Sequence, residues 1–451
     1  MQRRTALASV LFLAACAEAP APLFEDELRS AADAGEALDA SVEATNEVFV
    51  LSQHCTDFRA WLVGPDSSSA HGSIATIPGG GVFVAWSGQN APARILGRRF
   101  LADGGVLPPE LIWTSAGDAS IDDINAHVNL GGVRFVTWRE TDATTGLSQL
   151  YERTHDLARW RPANPLPGAP REILWSISGL TPRGDQLVVS VERAGEDGWA
   201  VVAHSRFGFN GTWSQHVLSP SEASVETLAM TANAQSEALV TWSGYGPPTQ
   251  RLLVKASRRT SGDVWSTQTL GPAHGTVIAP VPVLTSRQAF VFWASDEQLQ
   301  STQLESGTWS SATTLFPRDG GVNASSVSAV STGEYVFLGW QNHDTYVEYA
   351  TWDGTRWREP ERAALLGDSG LTRFIWWDGF GTNHAMSLWS EGGFVVVTSF
   401  HFGTRTGQYV IAGMVVDDDR IQPRLVLDDT WSHWILARQG AGRRLVVSNC
   451  R

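Results

Sequence analysis

Short apolar runs that end in tryptophan recur along this chain, separated by polar stretches that contain glycine. The recurring tryptophans are Trp86, Trp138, Trp242, Trp293, Trp340 and Trp389. They are spaced by about 50 residues, with one double step in which Val191 takes the missing place. In the run VFVAW, alternation along a strand directs Val84 and Trp86 to one face and Phe83 and Ala85 to the other. Both faces are apolar, as expected for a sheet packed between two others.

Each repeat also contains several strand candidates separated by Gly, Asp or Asn. In 323–367 the candidates are SSVSAVS, EYVFLGWQ, YVEYATWD and RWREPERAAL. A period near 50 residues with four short strands per unit is typical of a β-propeller, and few segments have a helical pattern. The sequence therefore predicts an all-β propeller of four-stranded blades.

The number of blades depends on how the two ends of the array meet. Six units run from about 70 to 367, and residues 368–451 together with 46–69 amount to about two more. A blade that takes strands from both termini would close the ring. We favour eight blades, with seven as the alternative, and assign 46–451 to a single propeller domain.

The first residues predict export and a lipid anchor. Arg3 and Arg4 precede a short apolar region, Ala6 to Ala15, which is too short to span a bilayer of about 30 Å as a helix. The end of this region, LAAC, resembles a bacterial lipobox, which implies cleavage before Cys16 and lipid on its sulfur. Ala17 in place of aspartate implies the bacterial outer membrane. An ordinary signal peptide remains the alternative.

The segment that follows the predicted signal peptide (1–15) differs in composition from the rest of the chain. Residues 16–45 are rich in Ala, Pro, Glu and Asp, and such a composition buries too little apolar surface to fold firmly. We expect this segment to be an acidic, flexible tether, so the N-terminal lipid is the only predicted contact with a membrane.

Charge and cysteines restrict the function further. The formal net charge is −14, whereas nucleic-acid binding requires a basic surface, so no nucleic-acid partner is expected. Cys55 and Cys450 stand at opposite ends of the predicted propeller, and in an oxidising compartment they are predicted to form a disulfide. Two separate buried thiols are the alternative. No metal site or cofactor is predicted, and we expect a monomer.

Some turns between strands resemble a known motif. TWDGTRW (351–357) and THDLARW (154–160) are similar to the Asp-box turns of sialidase-type propellers, through Thr351, Asp353, Gly354 and Trp357 in the first. In the second, Thr154, Asp156 and Trp160 match the motif. The phrase YATWDGTRWREPERAAL also resembles repeats of lectin propellers that bind fucose and related sugars. The resemblance implies a propeller in which these turns serve folding and ligands bind at the opposite face.

That opposite face carries the loops between the second and third strands and the loops between blades. Carboxylates predominate in these loops: Glu140, Asp142, Glu192, Glu196, Asp197, Asp296, Glu297, Asp344 and Glu391. The arginine-isoleucine-proline signature of sialidases is absent, and so are the Gly-x-Ser-x-Gly and His-Glu-x-x-His motifs of hydrolases. No catalytic residues are therefore assigned.

The tryptophans have two interpretations. A residue that recurs at one strand position in nearly every blade favours packing between blades over stacking on sugars. Binding candidates are residues that break the repeat, and FIWWDGFG (374–381) has an extra adjacent tryptophan. We predict that Trp377, with Asp378 and His384, lines the ligand face. The alternative is that Trp376 and Trp377 both fill gaps between blades.

Together these patterns predict a lipid-anchored propeller of the cell envelope, periplasmic or surface-exposed. Its loop face is expected to bind a glycan or a protein partner without catalysis. The alternative function is a glycan-cleaving propeller enzyme, either a sialidase-like glycosidase or a polysaccharide lyase.

Overall fold

A computed structural model of the chain consists of β-strands, turns and loops in all the residues it describes, which confirms the predicted all-β class. The described residues are 50–51, 58–64, 72–88, 92–196, 198–246, 251–260, 262–273, 280–295, 298–317, 327–342, 346–362, 375–380, 384–391, 394–401, 404–411, 414–415, 424–427, 433–439 and 444–450. Within these ranges no helix is long and apolar enough to cross a membrane.

Two short N-terminal strands precede four antiparallel sheets. The N-terminal strands are β1 (Val50–Leu51) and β2 (Phe58–Leu62). Sheet 1 consists of β3 (Gly72–Thr76), β4 (Gly81–Gly88), β5 (Arg94–Leu101) and β6 (Glu110–Thr114), and sheet 2 of β7 (Ser120–Val128), β8 (Arg134–Thr141), β9 (Ser148–His155) and β10 (Asn164–Pro165). Sheet 3 consists of β11 (Ile173–Leu180), β12 (Gln186–Arg193), β13 (Trp199–Arg206) and β14 (Ser214–Glu222), and sheet 4 of β15 (Ser224–Ala232), β16 (Ala238–Gly246), β17 (Arg251–Arg259) and β18 (Trp265–Pro272).

Four further sheets follow, and the last two incorporate the N-terminal strands. Sheet 5 consists of β19 (Val281–Leu284), β20 (Ala289–Ser295), β21 (Gln298–Glu305), β22 (Thr308–Trp309) and β23 (Thr313–Thr314), and sheet 6 of β24 (Val327–Thr332), β25 (Tyr335–Asn342), β26 (Tyr346–Trp352) and β27 (Glu361–Arg362). Sheet 7 consists of β28 (Ile375–Phe380), β29 (His384–Glu391), β30 (Phe394–His401), β31 (Thr404–Ile411) and β1. Sheet 8 consists of β32 (Met414–Val415), β33 (Arg424–Leu427), β34 (His433–Gln439), β35 (Arg444–Cys450) and β2.

The sheets are arranged as a closed ring. The innermost strands contact one another in the order β3, β7, β11, β15, β19, β24, β28 and β33, and β33 contacts β3. Radial antiparallel sheets around a central channel define a β-propeller, so the predicted class is confirmed. The eight sheets of the described residues agree with the favoured number of blades, which itself stays a prediction.

Side chains of neighbouring sheets satisfy backbone groups at the inner edges of the sheets. The Ser73 hydroxyl on β3 accepts a hydrogen bond of 3.0 Å from the Ala126 N–H on β7. The Asp123 carboxylate on β7 accepts a hydrogen bond of 2.8 Å from the Ser176 N–H on β11. Because an unpaired strand edge exposes backbone donors and acceptors, these contacts both protect the edge and connect adjacent sheets.

The recurring tryptophans pack between sheets. Trp86, Trp138, Trp242, Trp293 and Trp340 are all buried on the second strands of their sheets. Trp293, for example, belongs to one hydrophobic cluster with Leu239 and Val254 of sheet 4. Each of these indoles faces the preceding sheet, so the prediction that they pack between blades is confirmed for these five. The side chain of Trp389 lies outside the described residues.

One detail of the predicted repeat is wrong. Val191 packs with Val240 and Trp242 of sheet 4, whereas Val188 on the same strand packs with Phe135 of sheet 2. Alternate residues of a strand point to opposite faces, so Ser190 shares the face of Val188. Ser190, and not Val191, therefore occupies the tryptophan place in sheet 3.

The two chain ends meet in sheet 8, which confirms the predicted closure by strands from both termini. β2 pairs with β35 in an antiparallel register that places Phe58 opposite Cys450. β1 pairs with β31 at the outer edge of sheet 7. Cys55 and Cys16 lie outside the described residues, so the disulfide with Cys450 and the lipid anchor stay predictions.

Two turns after third strands share one hydrogen-bond pattern. The Asp353 carboxylate accepts hydrogen bonds of 3.0 Å each from the N–H groups of Thr355 and Arg356. The Asp156 carboxylate accepts equivalent bonds from the N–H groups of Ala158, at 3.3 Å, and Arg159, at 3.1 Å. In both turns the aspartate therefore satisfies backbone donors that the tight reversal would leave without partners.

The tryptophan of each turn contacts the preceding sheet. The Trp160 ring lies 6.1 Å from the Phe83 ring of sheet 1, and the Trp357 ring lies 5.6 Å from the Phe292 ring of sheet 5. Trp160 Nε1 also donates a hydrogen bond of 2.9 Å to the Glu110 carboxylate. These turns therefore hold adjacent sheets together.

We expect the carboxyl group of Asp353 to titrate far below an ordinary aspartate. The Thr355 hydroxyl and the N–H of Arg356 donate to it and lower its pKa from 3.8 to about 2. Because the folded-state pKa is depressed, the turn is stabilised above pH 3.8 and this stabilisation is lost as pH falls towards 2. Carbon-13 NMR titration of the Asp353 carboxyl checks the value.

The Thr355 hydroxyl is the largest contribution to this shift, which provides a pair of variants. Thr355→Val should raise the pKa, whereas Thr355→Ser, which keeps the hydroxyl, should leave it low. A midpoint near 3.8 in the unchanged protein would contradict the hydrogen-bonded turn.

Candidate functional site

The residues predicted to line the ligand face lie on sheet 7. Trp377 and Asp378 are on β28, and His384 begins β29. The backbone register pairs Trp377 with Ser387 and His384 with Phe380. His384 therefore lies at the end of the sheet where 381–383 join the two strands, away from the loop at 392–393. The side chains of the predicted trio are outside the described residues, so this site stays a prediction.

Several of the loop carboxylates have structural roles. The Glu140 carboxylate accepts a hydrogen bond of 2.8 Å from Trp113 Nε1. The Asp142 carboxylate accepts bonds of 2.9 and 2.7 Å from the N–H groups of Thr144 and Thr145 in its own turn. Asp197, Asp296, Glu297 and Asp344 lie outside the described residues. Glu192 differs from the described loop carboxylates because it lies within β12 and is buried.

Glu192 lines a cleft between sheets 2 and 3, at the end of the sheets that carries the second-to-third-strand loops. The cleft lies on the face of sheet 3 where Ser190 replaces the tryptophan of the other repeats. The hydroxymethyl side chain of Ser190 is much smaller than an indole, so it fills less of the space between sheets 2 and 3. The lining residues are Ser148, Gln149, Leu150, Leu166, Pro167, Gly168, Ala169, Arg171, Ile173, Glu192 and His204.

A buried carboxylate and imidazole form the floor of the cleft. His204 Nε2 lies 3.4 Å from Glu192 Oε1, and the Ser190 hydroxyl donates a hydrogen bond of 2.7 Å to the same oxygen. Arg171 Nη1 lies 2.8 Å from Glu192 Oε2. Ser190, which stands where the other repeats have tryptophan, thus also orients the Glu192 carboxylate.

The Glu192 carboxylate is held in its ionised form. Burial by itself raises the pKa of Glu192, but hydrogen bonds from His204 and Ser190, with the charge of Arg171, outweigh it and lower the pKa below its usual value of 4.5. An ionised carboxylate only accepts hydrogen bonds, so His204 Nε2 carries the hydrogen of their contact. In the neutral ring, Nδ1 of His204 is then an acceptor.

Arg171 is positioned by the loop that follows β10. Its backbone pairs with that of Ser148 through hydrogen bonds of 2.7 and 3.0 Å. Its Nε donates a hydrogen bond of 3.1 Å to the Ala169 carbonyl. Gly168 has a φ of +118°, and a Cβ there would lie 2.7 Å from Arg171 Nη2. Glycine is therefore favoured at 168 by the backbone conformation, and it also leaves room for the guanidinium.

The cleft offers hydrogen-bonding capacity to a ligand. The Arg171 side chain is one-third exposed, whereas His204 is 1% exposed and its Nδ1 has no partner among the described residues. Buried polar atoms are usually paired, so the unpaired nitrogen of an imidazole that lines the cleft indicates a missing partner. A ligand group that both donates and accepts hydrogen bonds, such as a hydroxyl, could pair with both Arg171 and His204 Nδ1.

Sequence reasoning identified only part of this site. Glu192 stood among the loop carboxylates, but His204 is in WAVVAHSR, which has the pattern of a buried strand, and Arg171 follows a proline-rich loop. The available signal was the missing tryptophan of the repeat. Assigning the tryptophan position to Val191 indicated the face of sheet 3 towards sheet 4, whereas the cleft lies on the face towards sheet 2. Among the described residues, no group of three or more His, Cys, Asp and Glu side chains is placed to hold a metal ion.

Comparison with known proteins finds solved structures of low similarity and no family. No protein-family model matches the chain, and no curated protein matches it. The BP39L lectin from Burkholderia pseudomallei is 13% identical with a TM-score of 0.48, and the match covers 75% of this chain and 98% of the lectin. The Dos1 propeller is 12% identical with a TM-score of 0.46 and coverages of 87% and 94%.

A third solved structure is an enzyme. The GH93 α-L-arabinofuranosidase of Fusarium graminearum is 9% identical with a TM-score of 0.38, and the match covers 65% of this chain and 92% of the enzyme. The solved structures thus include both a lectin and a glycosidase. The fold does not distinguish binding from cleavage, whereas the residues that line the cleft do.

Proposed function

We propose that this chain is a non-catalytic glycan-binding propeller whose ligand places a hydroxyl group in the cleft between sheets 2 and 3. The observation that carries the proposal is the buried Glu192–His204 pair beside Arg171 where the repeat loses its tryptophan. Sugar hydroxyls both donate and accept hydrogen bonds. They can therefore donate to Glu192 and to His204 Nδ1 while accepting from Arg171.

The composition of the cleft favours binding over cleavage. Glycosidases use two carboxyl groups about 5–10 Å apart, one as acid and one as nucleophile or base. Glu192 is the one carboxylate among the described lining residues, and its lowered pKa is unsuited to a general acid at neutral pH.

The proposal includes a location. The lipobox-like LAAC sequence and the acidic segment 16–45 support a lipid anchor on Cys16 and a tether at the bacterial outer membrane. The loop face is then available to glycans of the envelope or its surroundings.

A glycan array probed with the full-length protein tests the function. We expect Arg171→Gln and Glu192→Gln each to weaken binding of any glycan identified by about tenfold or more, since hydrogen bonds to charged groups contribute about 1.5–3 kcal/mol. Arg193→Gln is the matched control, because Arg193 is adjacent to Glu192 on β12 but stacks on Trp199 at 5.1 Å and does not line the cleft.

The pH dependence adds a second readout. Because the pKa of Glu192 is lowered below 4.5, binding that depends on its carboxylate should persist at pH 4.5 and be lost at lower pH. Binding unaffected by either cleft variant would contradict the assignment. Release of sugar fragments from a bound glycan, detected by mass spectrometry, would instead favour an enzyme.

A further inference from the structure

Four exposed apolar side chains of the described residues lie at turns opposite the loop face. Leu130 (75% exposed), Leu157 (64%), Phe207 (44%) and Val264 (63%) are among the exposed large apolar residues of the described chain. All four lie in turns between first and second or between third and fourth strands of sheets 2, 3 and 4. We call these four residues the turn-tip patch.

Contacts between turns make the patch continuous. A Cβ on Gly132, two residues from Leu130, would lie 3.4 Å from Leu157 Cδ2. The turn of Leu157 joins that of Phe207 through a hydrogen bond of 2.8 Å from Arg161 to Asn210.

Sheet 4 continues the same surface. The Arg259 guanidinium lies over the Phe207 ring, 5.2 Å from the ring centroid. Arg259 also lies 3.8 Å from Asp263, the neighbour of Val264. The turn-tip patch therefore extends over three adjacent sheets.

The backbone at Leu157 provides an independent observation. Its φ is +75°, in the left-handed region that favours glycine, and the equivalent position of the matching turn is Gly354 with a φ of +95°. A bulky residue there is strained, and such strain persists where the side chain has a use. Leucine at 157 thus retains an exposed apolar side chain at a position where glycine would relieve the backbone.

The charge around the patch selects an anionic partner. Arg159 and Arg183 are exposed beside Leu157 and in the neighbouring turn, and neither guanidinium has a partner among the described residues. Nearby acids already have cationic partners: Asp156 lies 3.2 Å from Arg161, and Asp263 lies 3.8 Å from Arg259. This surface therefore presents free positive charge on a chain whose net charge is −14.

We propose that the turn-tip patch docks the propeller on an anionic lipid surface. Apolar side chains at the tips of protruding turns suit insertion at the boundary between headgroups and acyl chains, with arginines directed to the phosphates. A folded protein partner would more often require a packed, concave or flat surface. This activity is separate from the cleft and from any lipid on Cys16.

Co-sedimentation with vesicles tests the proposal, using the full chain with Cys16→Ser so that no covalent lipid contributes. Vesicles of phosphatidylcholine alone are compared with vesicles that also contain phosphatidylglycerol. We expect binding to the anionic vesicles that weakens as salt is raised. Leu157→Gly should reduce binding about tenfold, since the inserted methyl and methylene groups are removed.

Two further variants separate charge from apolar contact. Arg159→Gln combined with Arg183→Gln should reduce binding to the anionic vesicles and abolish its salt dependence. Leu111→Ser is the matched control, because Leu111 is exposed on the outer strand of sheet 1 and does not lie in one of these turns. It should bind as the unchanged chain does.

A loss of vesicle binding in Leu157→Gly would not result from misfolding. Leu157→Gly relieves the left-handed backbone, so thermal unfolding should show no loss of stability. Absence of binding to anionic vesicles would overturn the proposal and leave the patch to a protein partner. Equal loss of binding in Leu111→Ser, or none in Leu157→Gly, would overturn it as well.

Discussion

Trp293→Ala lowers the free energy of unfolding by about 3–5 kcal/mol, the usual effect of truncating a buried tryptophan. The Trp293 side chain is fully buried between sheets 4 and 5, where it packs in one cluster with Leu239 and Val254. Gly271 borders the indole, with a Cβ position 3.6 Å from Trp293 Cζ2. The central strands β16, β17 and β20 are each paired on both sides within their sheets, so they cannot collapse into the space.

Chemical denaturation monitored by circular dichroism measures this loss. Tyr245→Ala is the control, since Tyr245 is an aromatic residue at the exposed end of β16 and its removal should change stability little. A loss for Trp293→Ala below about 1 kcal/mol would contradict a packing role for the indole.

Arg206→Met should destabilise the protein by about 3–5 kcal/mol, because it leaves the Glu152 carboxylate in the interior without its cationic partner. Arg206 Nη1 lies 3.1 Å from Glu152 Oε1 across the junction of sheets 2 and 3, and both side chains are almost fully buried. Arg206 Nε also donates a hydrogen bond of 2.8 Å to Gln186, and its guanidinium covers the Trp213 ring at 4.7 Å.

A double-mutant cycle with Glu152→Met checks the pairing. The double variant should be less destabilised than the sum of the two single variants, since neither charge is then buried alone. Arg287→Met is the matched control, because Arg287 is 80% exposed and its contact with Glu334 is 3.7 Å long. A change for Arg206→Met as small as that for Arg287→Met would show that the buried pair contributes little.

The pattern of apolar and polar residues was sufficient to predict the fold, because a propeller repeats one unit of consecutive strands. The apolar runs with tryptophan, the turn residues and the spacing predicted strands such as β4 and β16 and their grouping in four-stranded sheets. The Asp353 and Asp156 turns were also recognisable, since their hydrogen bonds join residues two or three apart. Such contacts depend on the adjacent sequence alone.

Side-chain direction was the first property that patterning did not resolve. Val191 and Ser190 are neighbours, and a shift of one residue moves a side chain to the other face of the sheet. The register of β12 against β13 and the clusters on either side decide that Ser190 faces sheet 2. The cleft therefore could not be assigned from the spacing of tryptophans.

The sequence by itself determined the all-β class, the repeat, the closure of the ring by both termini and the packing role of the tryptophans. Only the tertiary structure decided which distant residues share a surface. Arg171, Glu192 and His204 meet because the loop after β10 folds over β12 and β13, and Leu157 lies near Phe207 because neighbouring turns contact across sheets. Periodicity shows which positions recur in every repeat, whereas both surfaces are built from residues that do not recur and that meet only when neighbouring sheets pack.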